Sequence, residues 1–325
     1  MGRYVLKRLL MLIPVILGVT IVIFTLMYFV PGDPATAILG STAEPWEYEA
    51  LREKMGLNEP YIVQLVQYLK QVYIDHNLGN SYLSGVSVTT ELLGRLPRTL
   101  ILGFASVLVS VGVGIPLGVH AAVHQGKTGD WLPMTVALFG ISMPGFWLAL
   151  MLVLAFSVKL GWLPAYGMGG IQYWILPILS GSFHGIANLA RQTRSSMLEV
   201  LGSDYVTMAR AKGMPEKSVI YKHALPNALI PIITVMGGTL ARLFGGGMLT
   251  ETIFSIPGVG YYMVKAVNNR DYPAVEGAVL LLAIVFCVVM LLTDLVMAAV
   301  DPRIKAQFAS RGKSRKQQKK EADKA

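Results

Sequence analysis

The residue types that most often carry chemistry are few and scattered in this chain of 325 residues. The histidines show no spacing suited to a metal ion, such as His-Glu-x-x-His; they are His76, His120, His124, His184 and His223. Gly126-Lys127-Thr128 resembles the end of a phosphate-binding loop, but the first glycine of that loop would fall on Ala121, and no strand is expected before it. We therefore expect no catalytic residue, no metal site and no cofactor in this chain.

Polar residues inside apolar runs are the next candidates, because such groups are costly in a bilayer and usually have a partner. Arg242 falls in the outer half of its run and Asp294 near the inner end of another, so we do not expect these two to pair. For Asp294 and His184 we favour hydrogen bonds between helices. For Arg242 two interpretations stay open: a side chain that faces a pore, and one that snorkels toward Glu251.

The segment 191–227 is basic, with six Lys and Arg residues between two apolar runs. A connection of this length between membrane spans, with short helical segments and a Gly-Met-Pro turn, suits a docking surface for a soluble partner.

Composition identifies an all-α integral membrane protein. Hydrophobic residues make up 54% of the chain and charged residues 14%, with a mean hydropathy of +0.54. Several runs approach the ~20 apolar residues that cross a bilayer as a helix. We predict six spans, over residues 9–30, 99–122, 132–158, 174–190, 227–249 and 276–300.

The distribution of cations predicts the orientation of these spans. One side of the membrane receives 19 Lys and Arg residues, which include the N-terminus, the 191–227 segment and the tail, whereas the other side receives eight. We therefore expect both termini and the 191–227 segment to be cytoplasmic. The net charge of +9 reflects this topology, and no nucleic-acid partner is expected.

The same pattern divides the chain into four parts. Residues 1–30 form an N-terminal stub and the first span, and residues 31–98 are too polar for the membrane and form an extracytoplasmic segment with short helices over 44–55 and 58–74. Residues 95–300 hold the other five spans as one core. The tail 301–325 is a solvated basic segment.

Glycine patterns predict close and movable helices. Gly114-x-x-x-Gly118 allows two backbones to approach each other. Gly237-Gly238 and Gly245-Gly246-Gly247 interrupt the fifth span on either side of Arg242, where the backbone could line a cavity or act as a hinge.

The 191–227 segment resembles the coupling loop of permease subunits from bacterial binding-protein-dependent ABC importers. That loop reads Glu-Ala-Ala, three residues, Gly, nine residues, then Ile-x-Leu-Pro. Anchored on Gly213, it falls on Thr207-Met208-Ala209 and on His223-Ala224-Leu225-Pro226, with Thr207, Met208 and His223 departing from the consensus. Ala209-Arg210-Ala211-Lys212-Gly213 is similar to the dipeptide, oligopeptide and nickel branch, as are the stretches 8–34, 161–164, 251–260, 269–272 and 301–303.

The resemblance implies the transmembrane domain of a type I ABC importer in the bacterial cytoplasmic (inner) membrane. Its partners would be a second, homologous permease in a heterodimer, two cytoplasmic ATPases that bind ATP and Mg, and an extracytoplasmic peptide-binding protein. Residues 203–218 would form the coupling helix. The residues expected to couple the chain to the ATPases are Tyr205, Thr207, Met208, Ala209, Arg210, Lys212, Gly213, Met214, His223 and Pro226, with Lys217 as a further cation at the rim.

A translocation path and outer gate are expected near the end of the fifth span. Arg242 is a departure from the small residues usual in the branch, and we hypothesise that it meets an anionic group of the cargo. The other residues expected here are Gly246, Glu251, Pro257 and Gly258.

Peptides are the cargo that the resemblance favours, and nickel or a nickel chelate is the nearest alternative. Glutathione and oligosaccharides also stay open, because selectivity in such importers rests largely with the binding protein. A secondary transporter would need ion-coupling residues and inverted repeats, neither of which we find. A membrane protein without transport would not need the coupling loop.

Overall fold

The computed structural model describes residues 2–30, 32–40 and 43–300, and it is helical throughout these ranges apart from one isolated antiparallel bridge between Asn80 and Ser87. The basic tail predicted over 301–325 lies outside the described residues. The all-helical fold class expected from composition is confirmed for the part of the chain described.

The N-terminal third begins with one long helix and continues with three short ones: α1 (Gly2–Phe29), α2 (Pro34–Leu39), α3 (Pro45–Lys54) and α4 (Tyr61–Tyr73). Proline opens α2 and α3, where a missing backbone N–H costs nothing. Asp33 caps α2 by accepting from the Ala35 amide at 3.0 Å, and Glu44 and Glu47 form a capping box at α3. The short helices predicted over 44–55 and 58–74 are confirmed.

The middle of the chain contains α5 (Val88–Val123), α6 (Thr128–Ser142), α7 (Gly145–Leu152), a π-helical stretch (Val153–Lys159) and α8 (Gln172–Leu201). The single span predicted over 132–158 is bent by 105° between α6 and the helix that follows. The bend lies at Met143, which is extended because it precedes Pro144.

The last third contains α9 (Asp204–Ala211), α10 (Glu216–Ser218), a π-helical stretch (Val219–Ala224), α11 (Leu225–Gly246), α12 (Met248–Ile253), α13 (Val259–Asn268) and α14 (Tyr272–Val300). The first part of the predicted 191–227 connection is helical, since α8 continues to Leu201 before the chain turns. The coupling helix predicted over 203–218 is two helices, separated by a turn at Gly213, whose φ is +74°.

Four described stretches are long and apolar enough to cross a membrane: Arg8–Phe29, Val88–Val123, Glu216–Arg242 and Tyr272–Ala299. The bent pair formed by α6 and α7 with its π-helical extension would be a fifth. Helix α8 covers the fourth predicted span and has 30 residues, but polar residues interrupt its apolar surface.

Among the described helices, α5 and α8 share the most extensive contact. Gly114 and Gly118 face α8 so closely that an added Cβ at Gly118 would lie 2.5 Å from the Ala190 carbonyl oxygen. Ser110 Oγ donates to the Ser182 carbonyl at 2.9 Å in the same interface. The small-residue spacing seen in the sequence therefore marks a real helix contact.

Candidate functional site

Helix α9 presents an apolar and basic surface to solvent. Its buried face holds Val206 (0% exposed) and Ala209 (7% exposed), which pack on Met197 of α8 and on Val219 and Ala224 of the π-helical stretch. The opposite face leaves Tyr205 (46%) and Met208 (59%) exposed. Thr207, Arg210 and Lys212 are also exposed. We call this face, residues 205, 207, 208, 210 and 212, the docking surface.

Two predicted coupling residues have other roles in this structure. Met214 is partly buried against the cluster beneath α9, so it supports the docking surface from below. Arg210 forms a salt bridge with Glu216 at 2.8 Å across the Gly213 turn. Because both side chains are exposed, this pair contributes only about 0.2–1 kcal/mol, and it fixes the direction of Arg210 more than it stabilises the fold.

The docking surface is joined to the membrane helices at both ends. Helix α8 ends at Gly202, directly before α9, and the π-helical stretch runs from α10 straight into α11, with half-buried His223 in it and Pro226 in the first turn of α11. The buried cluster under α9 also includes Val119 and Ala122 of α5. A force on α9 would therefore reach the ends of three membrane helices through packed side chains.

Helix α11 exposes a polar and small face. After the exposed Pro226, the exposed residues along it follow helical spacing and are Asn227, Pro231, Thr234, Gly238 and Arg242. No large apolar side chain is exposed among the described residues 225–242, whereas α1, α5, α6 and α14 each expose several. A face without apolar side chains is unsuited to acyl chains and suits water or another protein surface.

The neighbouring face of α8 continues this polar surface. His184, Asn188, Arg191, Gln192 and Ser195 recur at helical spacing, and none of them is buried. A cavity of about 680 Å³ opens against Asn188, Arg191 and Gln192, with Val235 of α11 on its edge. Arg242 lies near enough to His184 to act on it electrostatically. We call the two faces together the polar stripe, and the exposed Arg242 lies on it.

Glu251, the acid in the snorkelling alternative for Arg242, is already hydrogen-bonded inside the protein. Glu251 is 1% exposed; its Oε1 accepts from Thr99 Oγ1 at 2.7 Å, and its Oε2 accepts from the Tyr261 amide at 2.9 Å. Burial raises the pKa of this carboxyl, and the two hydrogen bonds oppose that rise. Glu251 therefore caps the N-terminus of α13 from a distance.

The remaining gate residues surround this carboxyl. A side chain at Gly258 would collide with this carboxyl, and one at Gly260 would collide with Met248 and lie 3.0 Å from the carboxyl. Pro257 is half-buried in the same turn, which also holds Ser255 at a φ of +53°. Gly246 is the last residue of α11. Glu251, Pro257 and Gly258 lie together in a packed corner.

Two ion pairs were missed by sequence reasoning. Asp130 Oδ1 and Arg194 Nε are 2.5 Å apart and join α6 to α8 beside the 680 Å³ cavity. Arg8 and Asp294 are 2.8 Å apart and join α1 to α14, which confirms that Asp294 bonds to another helix. Because the partners in each pair are far apart in the sequence, no spacing of residues along the chain predicts that they meet.

In the Gly126-Lys127-Thr128 turn, a backbone amide binds the carboxylate of Asp130. The Gly126 amide donates to Asp130 Oδ2 at 3.0 Å. An amide that already binds a carboxylate is not positioned for a phosphate.

Comparison with known proteins identifies the class of this helical membrane protein. The family described as binding-protein-dependent transport system inner membrane component matches residues 114–306, and the N-terminal component of such systems matches residues 1–103. The chain therefore belongs to the family of inner membrane components of binding-protein-dependent transport systems, and it is a membrane permease.

Individual relatives cover almost its whole length. A dipeptide transport system permease protein of Alkalihalophilus pseudofirmus is 41% identical over 333 residues, which is 94% of this chain and 100% of the relative. A glutathione transport system permease protein of Salmonella typhimurium is 40% identical and covers 94% of this chain and 99% of its own. A chain of the MetNI methionine ABC transporter, in an inward-facing conformation, shares the fold with a TM-score of 0.57 at 19% identity, over 64% of this chain and 95% of its own.

Proposed function

We propose that this chain is the transmembrane permease subunit of an ATP-driven importer that carries di- and oligopeptides across the cytoplasmic membrane. The observation that supports this most is the docking surface on α9, which is apolar, exposed and joined to three membrane helices. Relatives of about 40% identity named for dipeptide and glutathione transport support a peptide cargo.

The proposal includes the assembly around the chain. Six spans with both termini cytoplasmic would place α9 toward two ATPase subunits, which would bind ATP and Mg. The polar stripe would be closed by a second, homologous permease, and an extracytoplasmic binding protein would deliver the peptide. The positive-inside pattern and the polarity of α8 and α11 support this arrangement.

The docking surface is tested by Met208→Glu in the assembled transporter. A charge at the centre of an apolar contact should cost at least about 2 kcal/mol, which corresponds to about 30-fold weaker ATPase binding. We measure co-purification of the ATPase subunits and peptide-stimulated ATP hydrolysis in proteoliposomes.

Ile171→Glu is the matched control, since Ile171 is 84% exposed but lies at the other end of α8. It should retain the ATPase subunits. Equal retention of the ATPases by Met208→Glu and Ile171→Glu, with both variants folded, would refute the docking surface.

The stripe is tested through Arg242. We propose that its guanidinium meets the cargo's carboxylate, and a charge-assisted hydrogen bond of about 1.5–3 kcal/mol predicts a tenfold or larger preference for carboxylate cargo. Arg242→Ala should abolish the advantage of a peptide with a free C-terminus over its C-terminal amide in uptake assays. Lys159→Ala, an exposed cation on another helix, should keep it. If Arg242→Ala transports both peptides with the original preference, the carboxylate role is wrong.

A further inference from the structure

Helix α4 packs lengthwise on α1, although its sequence belongs to a segment expected to lie in water. Tyr73 Oη and Thr20 Oγ1 are 2.7 Å apart, and Tyr61 Oη and Thr25 Oγ1 are also 2.7 Å apart. Between them the rings of Tyr68 and Phe24 stack at 5.1 Å. Thr20 is fully buried by this contact.

These contacts place α4 at membrane depth. Thr25 and Thr20 lie four and nine residues before the end of α1 at Phe29, which is about 6 Å and 14 Å along the helix. The hydrocarbon core is about 30 Å thick, and α1 is an apolar stretch long enough to cross it. A helix fixed to this part of α1 therefore lies beside one leaflet.

The two faces of α4 differ sharply in polarity. Its outward face exposes Ile62 (63%), Val66 (58%) and Ile74 (68%), and the exposed Lys70 lies in the same stripe between Val66 and Ile74. Its opposite face turns Gln64, Gln67 and Gln71 toward a polar cavity of about 470 Å³ enclosed by α1, the short helices and the start of α14. An amphipathic helix of this kind suits the boundary between acyl chains and a hydrated interior.

An apolar groove of about 640 Å³ runs where α4 meets α1. It is lined by Ile13, Ile16 and Leu17 of α1 and by Val66, Leu69 and Tyr73 of α4. Beside it α1 exposes further apolar side chains, so the groove continues the surface that α1 offers to lipid. Lys70 also borders the groove, and its long stem allows the ammonium group to reach a phosphate.

We propose that the groove between α1 and α4 binds the acyl chain of a membrane phospholipid, with Lys70 toward its phosphate. Helix α4 is then a wall between lipid and the glutamine-lined cavity, and the segment 31–98 is partly embedded.

The test uses spin labels at two adjacent positions that face opposite ways. Cys287, the single cysteine and 4% exposed, is replaced by serine, and Val66→Cys or Gln67→Cys is labelled in the assembled transporter in lipid nanodiscs. Accessibility to oxygen, which concentrates in lipid, is compared with accessibility to a water-soluble nickel complex.

The label at position 66 should be open to oxygen and protected from nickel, with an oxygen-to-nickel ratio at least several-fold above that at position 67. Nickel access at position 66 would show that α4 lies in water, and protection from both reagents would show that a protein partner covers the groove; either result overturns the proposal. The readout needs neither cargo nor ATP, so it is independent of the proposed transport function.

Discussion

At the scale of single residues, Glu251 is held by hydrogen bonds inside the protein. From the sequence we expect this residue and the Pro-Gly turn after it in the outer gate region. Its carboxylate is buried and accepts hydrogen bonds from α5 and α13, through Thr99 and Tyr261. Thr99 Oγ1 in turn accepts from the Val259 amide at 2.9 Å. Glu251 therefore holds three helices together, whereas Arg242 is exposed on the polar stripe.

Glu251→Gln should destabilise the protein without altering cargo preference. In glutamine an NH2 group replaces one carboxylate oxygen, so either the Thr99 hydroxyl or the Tyr261 N–H faces a donor and loses its acceptor. An unsatisfied buried group of this kind costs about 1–3 kcal/mol of stability. We expect a lower unfolding temperature for the purified transporter. Glu199→Gln, at an exposed position on α8, should leave the unfolding temperature unchanged. An unchanged unfolding temperature in Glu251→Gln would contradict the capping role.

At the scale of helices, the hydrophobic runs in the sequence predict the apolar segments of the helices well. They predict poorly where the polar ends of those helices lie. Helices α5 and α14 begin before the predicted spans, at Val88 and Tyr272, because a helix continues after it leaves the bilayer. In α8 the charged residues after Ala190 ended the predicted span, yet the helix continues for three turns. Those residues are tolerated because they face a cavity or a paired acid, and neither is visible in a sequence window.

The α5–α8 contact gives a prediction at this scale. Alanine has a higher helix propensity than glycine by about 1 kcal/mol, so Gly118→Ala would stabilise an isolated α5. In the structure the added Cβ would collide with Ala190 and Thr193, and overpacking costs about 1–3 kcal/mol. We expect a net loss of stability and of transport. Gly112→Ala has nothing within 4 Å of the added Cβ and should be neutral or stabilising. Equal stability of the two variants would mean that α5 and α8 separate more readily than their packing implies.

At the scale of the whole molecule, exposed surfaces define what the chain requires around it. Apolar side chains cover the outward faces of α1, α5 and α14, as lipid requires, whereas the stripe on α8 and α11 is polar. In the proposed assembly, a second permease subunit and a water-filled path between the two would cover this stripe.

The proposed orientation is tested in the Cys287→Ser background with a membrane-impermeant maleimide. Ser84→Cys lies in an exposed turn before α5, and Lys212→Cys lies at the end of α9. In intact spheroplasts we expect labelling of position 84 only, and labelling of position 212 after permeabilisation. The reverse pattern would invert the topology and remove the docking surface from the cytoplasm.

The sequence by itself determined the class of the molecule, the approximate positions of its apolar helices and the segment that holds the docking surface. These features depend on local composition and on a short motif anchored at Gly213, so they can be read along the chain. Only the tertiary structure decided which side chains face outward on α9, where Arg242 points, what Glu251 binds and that α4 lies along α1. Each of these depends on contacts between residues far apart in sequence, where packing and the high cost of unpaired polar groups in an apolar environment select the arrangement.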